Sequence, residues 1–214
     1  MTTKLILYNG ALRALGERKL ASLTEAREAR YLLDDVWDEG FVNHVLGDGQ
    51  WVFATRSSSL TASTSIDPAF GLGYAFEQPD DYIITSAICS DEYYDNPLLR
   101  YKDEAGIWYA DIDVLFVQYI SNHAEWGGDL TKWTTAFCDF AQHYMAWKVS
   151  LRMTQSKVDK EQLEKDMKKL RLIALNRDAR NKPTKFPAQG SWINSRRGYR
   201  GSGNAPRPNS INSY

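Results

Sequence analysis

The strongest constraint on the fold is a regular series of large apolar side chains between residues 133 and 151. The series recurs at alternating steps of four and three residues and consists of Trp133, Phe137, Phe140, Tyr144, Trp147 and Leu151. This spacing lines one side of an α-helix and does not fit the two-residue repeat of a strand. We therefore predict a long helix, capped by Asp129 or Thr131, whose aromatic face is core.

A second charged helix is predicted directly after it, starting near Ser156. Its apolar stripe consists of Leu163, Met167, Leu170 and Ala174, while many charged residues on its other faces are paired at four-residue spacing. A tight turn at residues 154–156 would make the two helices antiparallel neighbours.

Two more helices are predicted in residues 1–50. The first has an apolar stripe and is ended by Gly16 in a left-handed cap; the stripe is Leu5, Tyr8, Leu12 and Leu15. The second begins after Ser22 or Thr24 and runs through Val45 to a stop at residues 47–49. Its buried face is formed by Ala29, Leu33, Val36 and Gly40.

Residues 51–121 have the features of short β-strands. Runs of β-branched and aromatic residues at 51–60, 82–89, 98–104, 106–113 and 114–121 are the strand candidates. Residues 61–73 contain Pro and Gly and are expected to form a loop. Residues 103–106 are expected to form a hairpin turn in which Gly106 takes positive φ. The strands are short and local, which favours an antiparallel insertion over a parallel nucleotide-binding sheet.

Regular structure is expected to end near Arg180. Of the 34 residues in 181–214, 18 are Gly, Pro, Ser or Asn, a composition that does not support a packed element. The segment nevertheless carries spaced large side chains, namely Phe186, Trp192, Ile193, Tyr199 and Tyr214. We expect an arm that is disordered alone and becomes ordered when it docks on partner subunits.

Charge is divided unevenly between this arm and the rest of the chain. The arm has six basic and no acidic residues, whereas residues 1–180 hold 20 of the 26 basic residues and all 27 acidic residues, a formal charge of −7. An acidic body and a basic arm can attract each other between neighbouring copies, or the arm can bind an anionic partner.

These patterns predict a mainly α protein: a four-helix bundle with a small antiparallel β insertion and an extended C-terminal arm. Its expected parts are N-terminal helices of the bundle (1–50), a β-rich insertion (51–121), C-terminal helices of the bundle (122–180) and the basic arm (181–214).

No motif in the sequence indicates catalysis, a cofactor or a metal ion. His44, His123 and His143 fall in different predicted elements, and neither HExxH nor CxxC spacing occurs. Adjacent carboxylates at 34–35 and 80–81 are interpreted as solvated faces or turns. Cys89 and Cys138 are expected to be reduced and part-buried. Apolar runs fall short of the ~20 residues that a membrane helix needs.

The arm admits three interpretations. The RRGYR segment at 196–200, with Trp192, could stack on bases and pair with phosphates, as in a nucleic-acid-binding module. Alternatively, its aromatic residues fill pockets on a protein partner while its arginines pair with acidic residues there. The third possibility is a tail without a binding role, which the spaced aromatic residues disfavour.

Five segments follow one another along the chain: TEAREARYLLDDVWDEGF (24–41), GQWVFATRSSSL (49–60), EQPDDYI (77–83), YKDEAGIWY (101–109) and DVLFVQYI (113–120). In this order they resemble the tail tubular protein A family of short-tailed bacteriophages, which is related to the head-to-tail adaptors (connectors) of other tailed phages. The resemblance covers residues 5–180.

The resemblance implies a non-enzymatic virion protein at the head-tail junction, made in the host cytoplasm. Such proteins form a ring, commonly of twelve copies, beneath the portal protein, and provide the surface to which the tail nozzle or tail tube protein attaches. Genomic DNA passes through the channel without specific binding. Their C-terminal extension embraces the portal or adjacent subunits.

From this we expect two sets of contact residues and neither a catalytic residue, a metal nor a cofactor. Portal docking is assigned to the arm, through Phe186, Trp192, Arg196, Arg197, Tyr199 and Arg200. Contact with the neighbouring subunit or the tail component is assigned to the β insertion, through Tyr101, Trp108 and Tyr109.

Overall fold

The computed structural model describes residues 2–68 and 71–182. Within them, five helices and two three-stranded antiparallel sheets form a mixed α/β fold. The helices are α1 (Lys4–Ala14), α2 (Glu28–Asp38), α3 (Phe41–Gly47), α4 (Thr135–Thr154) and α5 (Lys157–Ala179). The strands are β1 (Thr55–Thr61), β2 (Tyr74–Glu77), β3 (Tyr82–Cys89), β4 (Tyr101–Glu104), β5 (Ile107–Ala110) and β6 (Val114–Ser121).

The prediction of a mainly α four-helix bundle was wrong. The strands are not an appendage of a bundle, because two sheets pack together around a hydrophobic core of their own, formed by residues such as Phe76, Trp108 and Val117. The helices form a separate core around α4. Two cores of different secondary structure therefore share one chain.

The helical core is organised by α4, which packs against α1, α2 and α5. Trp51 inserts its ring against the aromatic face of α4, with ring centroids 4.6 Å from Phe137 and 6.2 Å from Phe140. Four residues of the predicted apolar series, Trp133, Phe137, Phe140 and Tyr144, are buried as expected, whereas Trp147 is partly buried and Leu151 is 43% exposed. The cap of α4 also differs from the prediction. Thr134 accepts the Phe137 N–H at 3.3 Å, whereas Asp129 caps the preceding short 3₁₀ turn.

The expected long second helix is divided into α2 and α3. Gly40 lies between them with φ 87°, a left-handed conformation that costs glycine little and other residues much more. The first of these helices begins at Glu28, after Arg27, and neither Ser22 nor Thr24 caps it. The predicted start of α5 is confirmed, because Ser156 accepts the Asp159 N–H at 3.2 Å.

The strands follow the order β1-β6-β3 in one sheet and β2-β5-β4 in the other. The predicted hairpin joins β4 and β5, and Gly106 has φ 81° as expected. The structure adds β2, which pairs with β5 and was not predicted. Residues 51–54, expected to begin a strand, form a short 3₁₀ turn that packs into the helical core.

Strand β6 links the two cores. Leu115, Val117 and Tyr119 alternate along it and face the core between the sheets, while Ile120 points the other way into the helical core. Because successive side chains of a strand point to opposite faces, one strand serves both cores. The sheets are thereby fixed on the helices.

Candidate docking surfaces

The six residues assigned to portal docking lie outside the residues that the structure describes. They are Phe186, Trp192, Arg196, Arg197, Tyr199 and Arg200. The described chain ends at Lys182, shortly after α5, so the surfaces that can be analysed are those of the body.

The end of α5 is held by contacts with the segment between α3 and β1. The Asp178 carboxylate is buried and accepts the Val52 N–H at 2.5 Å. Burial raises the pKa of this carboxyl, and the hydrogen bond from Val52 opposes the rise only in part. About two turns earlier in α5, the Arg171 guanidinium donates a hydrogen bond to the Asp48 carbonyl oxygen at 3.1 Å. The last turns of α5 are therefore attached at two points.

The outward face of α5 is basic from Lys165 onward; in the first turns of the helix the same row of exposed side chains holds Val158 and Glu161. Only Leu163, Ala174 and Asp178 are buried along its 23 residues. On the side opposite to them, five exposed residues recur at steps of four, three, four and four, and none is acidic; we name this set the basic stripe, and it consists of Lys165, Lys169, Leu172, Asn176 and Arg180. Leu172, at the centre of the basic stripe, is 60% exposed.

The outward face of α2 is acidic. Its exposed residues recur at steps of three, four and three and form what we name the acidic stripe, consisting of Glu28, Tyr31, Asp35 and Asp38. Tyr31 is 51% exposed, and the Arg30 guanidinium stacks over its ring at 3.9 Å from the centroid. The sequence signal for this surface was the run of acidic residues on a helix whose opposite face is apolar.

The β4–β5 hairpin does not present all three residues that the sequence assigned to an interface. Trp108 is fully buried in the core between the sheets, and its indole N–H donates to Asp103 at 3.0 Å. Tyr109 points to the opposite face, where it packs against Leu72. Tyr101 alone is substantially exposed, at 39%. A surface role for Trp108 is wrong because the alternation of the strand turns it inward.

The connection between β3 and β4 presents apolar side chains that the sequence analysis did not single out. Leu99 is 94% exposed and Tyr93 is largely exposed. The loop is held by Asp91, whose carboxylate accepts the Asp95 N–H at 3.0 Å and the Asn96 N–H at 2.8 Å. These two backbone hydrogen bonds, that of Asp95 first, hold the pKa of Asp91 below its ordinary value. A locally bonded loop thus exposes Tyr93 and Leu99 beside Tyr101.

Asp81 was interpreted as part of a solvated face or turn, and its side chain is buried instead. It accepts hydrogen bonds from the Arg56 guanidinium at 2.7 Å, from the Tyr119 hydroxyl at 3.0 Å and from the Ser121 hydroxyl. Burial would raise the pKa of this carboxyl, but the three hydrogen bonds outweigh it and the pKa is lowered. Burial, together with the bond to Asp81, raises the pKa of Tyr119 to about 12.

Asp34 likewise joins helices instead of facing solvent. It accepts the Tyr8 hydroxyl at 2.8 Å and pairs with Lys4 at 3.2 Å and Arg30 at 2.5 Å. Burial, with the adjacent Asp34 carboxylate, raises the pKa of the Tyr8 phenol. Its sequence neighbour Asp35 remains exposed in the acidic stripe.

Across residues 2–68 and 71–182, no group of three His, Cys, Asp or Glu side chains could hold a metal ion. Cys89 and Cys138 are free and buried, and burial raises the pKa of the Cys138 thiol. A groove of about 620 Å³ beside α2 is lined by ion pairs that satisfy one another, including Arg152 with Glu28 at 3.5 Å.

No described helix is both long and apolar enough to cross a lipid bilayer.

No protein-family model matches the sequence, and a search of curated proteins finds no match either.

Proposed function

We propose that this chain is a structural subunit of a tailed-bacteriophage virion, a ring-forming head-to-tail adaptor. In this proposal, residues 181–214 dock on the portal protein, the body contacts neighbouring copies in a twelve-membered ring, and the β insertion meets the neighbouring subunit or the tail nozzle or tail tube protein. Genomic DNA passes through the channel without specific binding.

The observation that carries the proposal is the contrast between the packed body and the basic, aromatic segment that follows it in the sequence. The described body has two closed hydrophobic cores, and the last turns of α5 are attached to it through Asp178 and Arg171. Beyond Lys182 the sequence continues with basic and aromatic residues and no acidic ones. In this proposal, the composition of the segment suits it to binding another protein.

Exposed apolar residues on the β insertion support a second contact. Leu99, Tyr93 and Tyr101 project from one stretch of chain, and aromatic and large apolar residues are enriched at protein interfaces. The hydrogen bonds of Asp91 hold the loop in place before binding, which reduces the entropy lost when a partner binds.

The proposal is tested by mixing the full chain with purified portal rings of the same phage and imaging the complexes by electron microscopy. We expect the wild-type chain to decorate one end of the portal. Two full-length variants separate the contributions of the arm: Trp192→Ala with Tyr199→Ala removes aromatic anchors, and Arg196→Glu with Arg197→Glu reverses charge. Both should lose decoration while keeping the far-UV circular dichroism of the wild type.

Two results would overturn the proposal. One is unchanged portal decoration by both arm variants. The other is strong, salt-dependent binding of duplex DNA that disappears with Arg196→Glu and Arg197→Glu, without any portal binding by the wild type. The second result would identify a nucleic-acid-binding module, because phosphate contacts make affinity fall steeply with salt.

A further inference from the structure

The acidic stripe of α2 and the basic stripe of α5 are complementary in charge and in layout. Each is a row of exposed side chains on the outer face of a helix that packs on α4. The acidic stripe places Tyr31 among three carboxylates, and the basic stripe places Leu172 among three cations. A central apolar residue with charged flanks is the arrangement found in protein interfaces, where an apolar centre is surrounded by a polar rim.

We propose that the basic stripe of one copy docks on the acidic stripe of the next copy. This inference rests on the proposed function, because it assigns the contact between neighbouring subunits of the ring. The two stripes are different surfaces of the same chain, so the proposed contact is head-to-tail. Such a contact forms a ring when the rotation between copies closes and an open filament when it does not.

A second copy explains these surfaces better than nucleic acid does. Phosphates would account for the lysines of α5 but would gain nothing from the exposed Leu172 and Ile173. Glu28 already pairs with Arg152 at 3.5 Å, so Asp35 and Asp38 are the carboxylates of the acidic stripe that a cationic partner would bind, and α5 of the neighbouring copy provides cations at equal abundance.

The contact is tested by disulfide trapping between full-length chains. One preparation carries Tyr31→Cys and the other Leu172→Cys; both native cysteines are buried. After mixing under mild oxidation, we expect the mixed disulfide to form roughly tenfold faster than in a control in which Val158→Cys replaces Leu172→Cys, since docking raises the local concentration of the two thiols. Val158 is exposed near the start of α5, on the same face as Leu172 but about four turns before it, beyond the end of the basic stripe. Equal rates for both pairs would overturn the proposal.

Charge reversal provides an independent test. One variant carries Asp35→Lys and Asp38→Lys, so both of its stripes are cationic; the other carries Lys165→Glu and Lys169→Glu, so both are anionic. Each variant alone should trap its cysteine pair no faster than the Val158 control. In a mixture of the two variants, each contact again joins opposite charges, and trapping should return. Misfolded chains could not recover in this way, so failure of the mixture counts against the proposal.

The outcomes separate this inference from the proposed function. Portal decoration without selective trapping would retain the adaptor and reject this subunit contact. Selective trapping without portal decoration would retain the contact and reject the adaptor. If Lys165→Glu with Lys169→Glu abolishes binding to a short DNA duplex while trapping is unchanged, the α5 face binds phosphates and the proposal is overturned.

Discussion

The Asp178 carboxylate accepts a hydrogen bond of 2.5 Å from the backbone N–H of Val52, which lies 126 residues earlier in the chain. This bond joins the last turns of α5 to the segment that leads into β1. The second carboxylate oxygen of Asp178 is buried and has no hydrogen-bond partner among the described residues. A buried acceptor without a hydrogen-bond partner costs free energy, so this oxygen offsets part of the stabilisation that the Val52 hydrogen bond provides.

Replacing Asp178 with Ala should destabilise the body. The change leaves the Val52 N–H without its acceptor and should lower the free energy of unfolding by about 1–3 kcal/mol, as expected for loss of a buried hydrogen-bond partner. Asp178→Asn retains an acceptor and should lower it less. Urea unfolding followed by tryptophan fluorescence measures both changes. Equal stability of the Ala variant and the wild type would show that the bond does not hold α5.

Asp178 should also make stability decrease as pH rises above the ordinary carboxyl range. Burial raises its pKa in the folded protein, so the folded protein holds a proton that the unfolded chain has already lost. Stability therefore falls between the unfolded pKa of about 4 and the raised folded value. We expect the wild type to lose stability relative to Asp178→Asn across this window, as measured by urea unfolding at a series of pH values. A constant difference between the two proteins would contradict the expectation.

Asp81 should have the opposite pH dependence. Its pKa is lowered in the folded protein, so its contribution is present above the ordinary carboxyl pKa and is lost as pH falls through the folded value. Asp81→Asn leaves Arg56 without its charge partner and should cost about 2 kcal/mol at neutral pH, less than for a fully buried pair because Arg56 is partly exposed. Asp80→Asn, at an exposed neighbouring position, is the matched control and should be nearly neutral.

Periodic patterns predicted most elements, and local backbone geometry explains the exceptions. The apolar series of α4 and the alternation of β6 are long enough to identify each element. By contrast, β2 has only four residues, and its pairing with β5 is a tertiary contact that no local pattern contains. The break at Gly40 was missed because a glycine within an apolar face also fits a continuous helix. The fold class was therefore wrong although many of its elements were right.

Individual contact residues were harder to predict than elements. A strand pattern shows that Trp108 and Tyr109 face opposite sides, but not that both sides of their sheet are covered. The buried role of Asp81 depends on Arg56 and Tyr119, which the fold brings together from two other strands. Exposure and burial of such residues are decided by packing between distant segments, which one sequence does not reveal.

Gly10 should be required by the close approach of α1 to α4. A Cβ atom at this position would lie 2.0 Å from Cδ of Gln142, whose side chain is buried. We expect Gly10→Ala to destabilise the protein by about 1–3 kcal/mol, because the clash outweighs the better helix propensity of alanine. Gln142→Ala removes the obstructing atoms, so the double variant should be more stable than additivity predicts. Gly47→Ala is the control, since its nearest neighbour, Ile83, is at an ordinary 3.6 Å.

Replacing Trp108 with alanine should destabilise the protein far more than replacing Tyr101. Trp108 fills the core between the sheets and packs edge-on against Tyr82 at 5.3 Å, so Trp108→Ala should lower the free energy of unfolding by about 3–5 kcal/mol. Tyr101→Ala removes an exposed ring and should change it by less than about 0.5 kcal/mol. If the insertion contacts the tail component, Tyr101→Ala should instead weaken that binding in a pull-down assay while the chain remains folded. A large loss of stability in Tyr101→Ala would identify Tyr101 as a structural residue and leave the exposed Tyr93 and Leu99 as the remaining candidates on this segment.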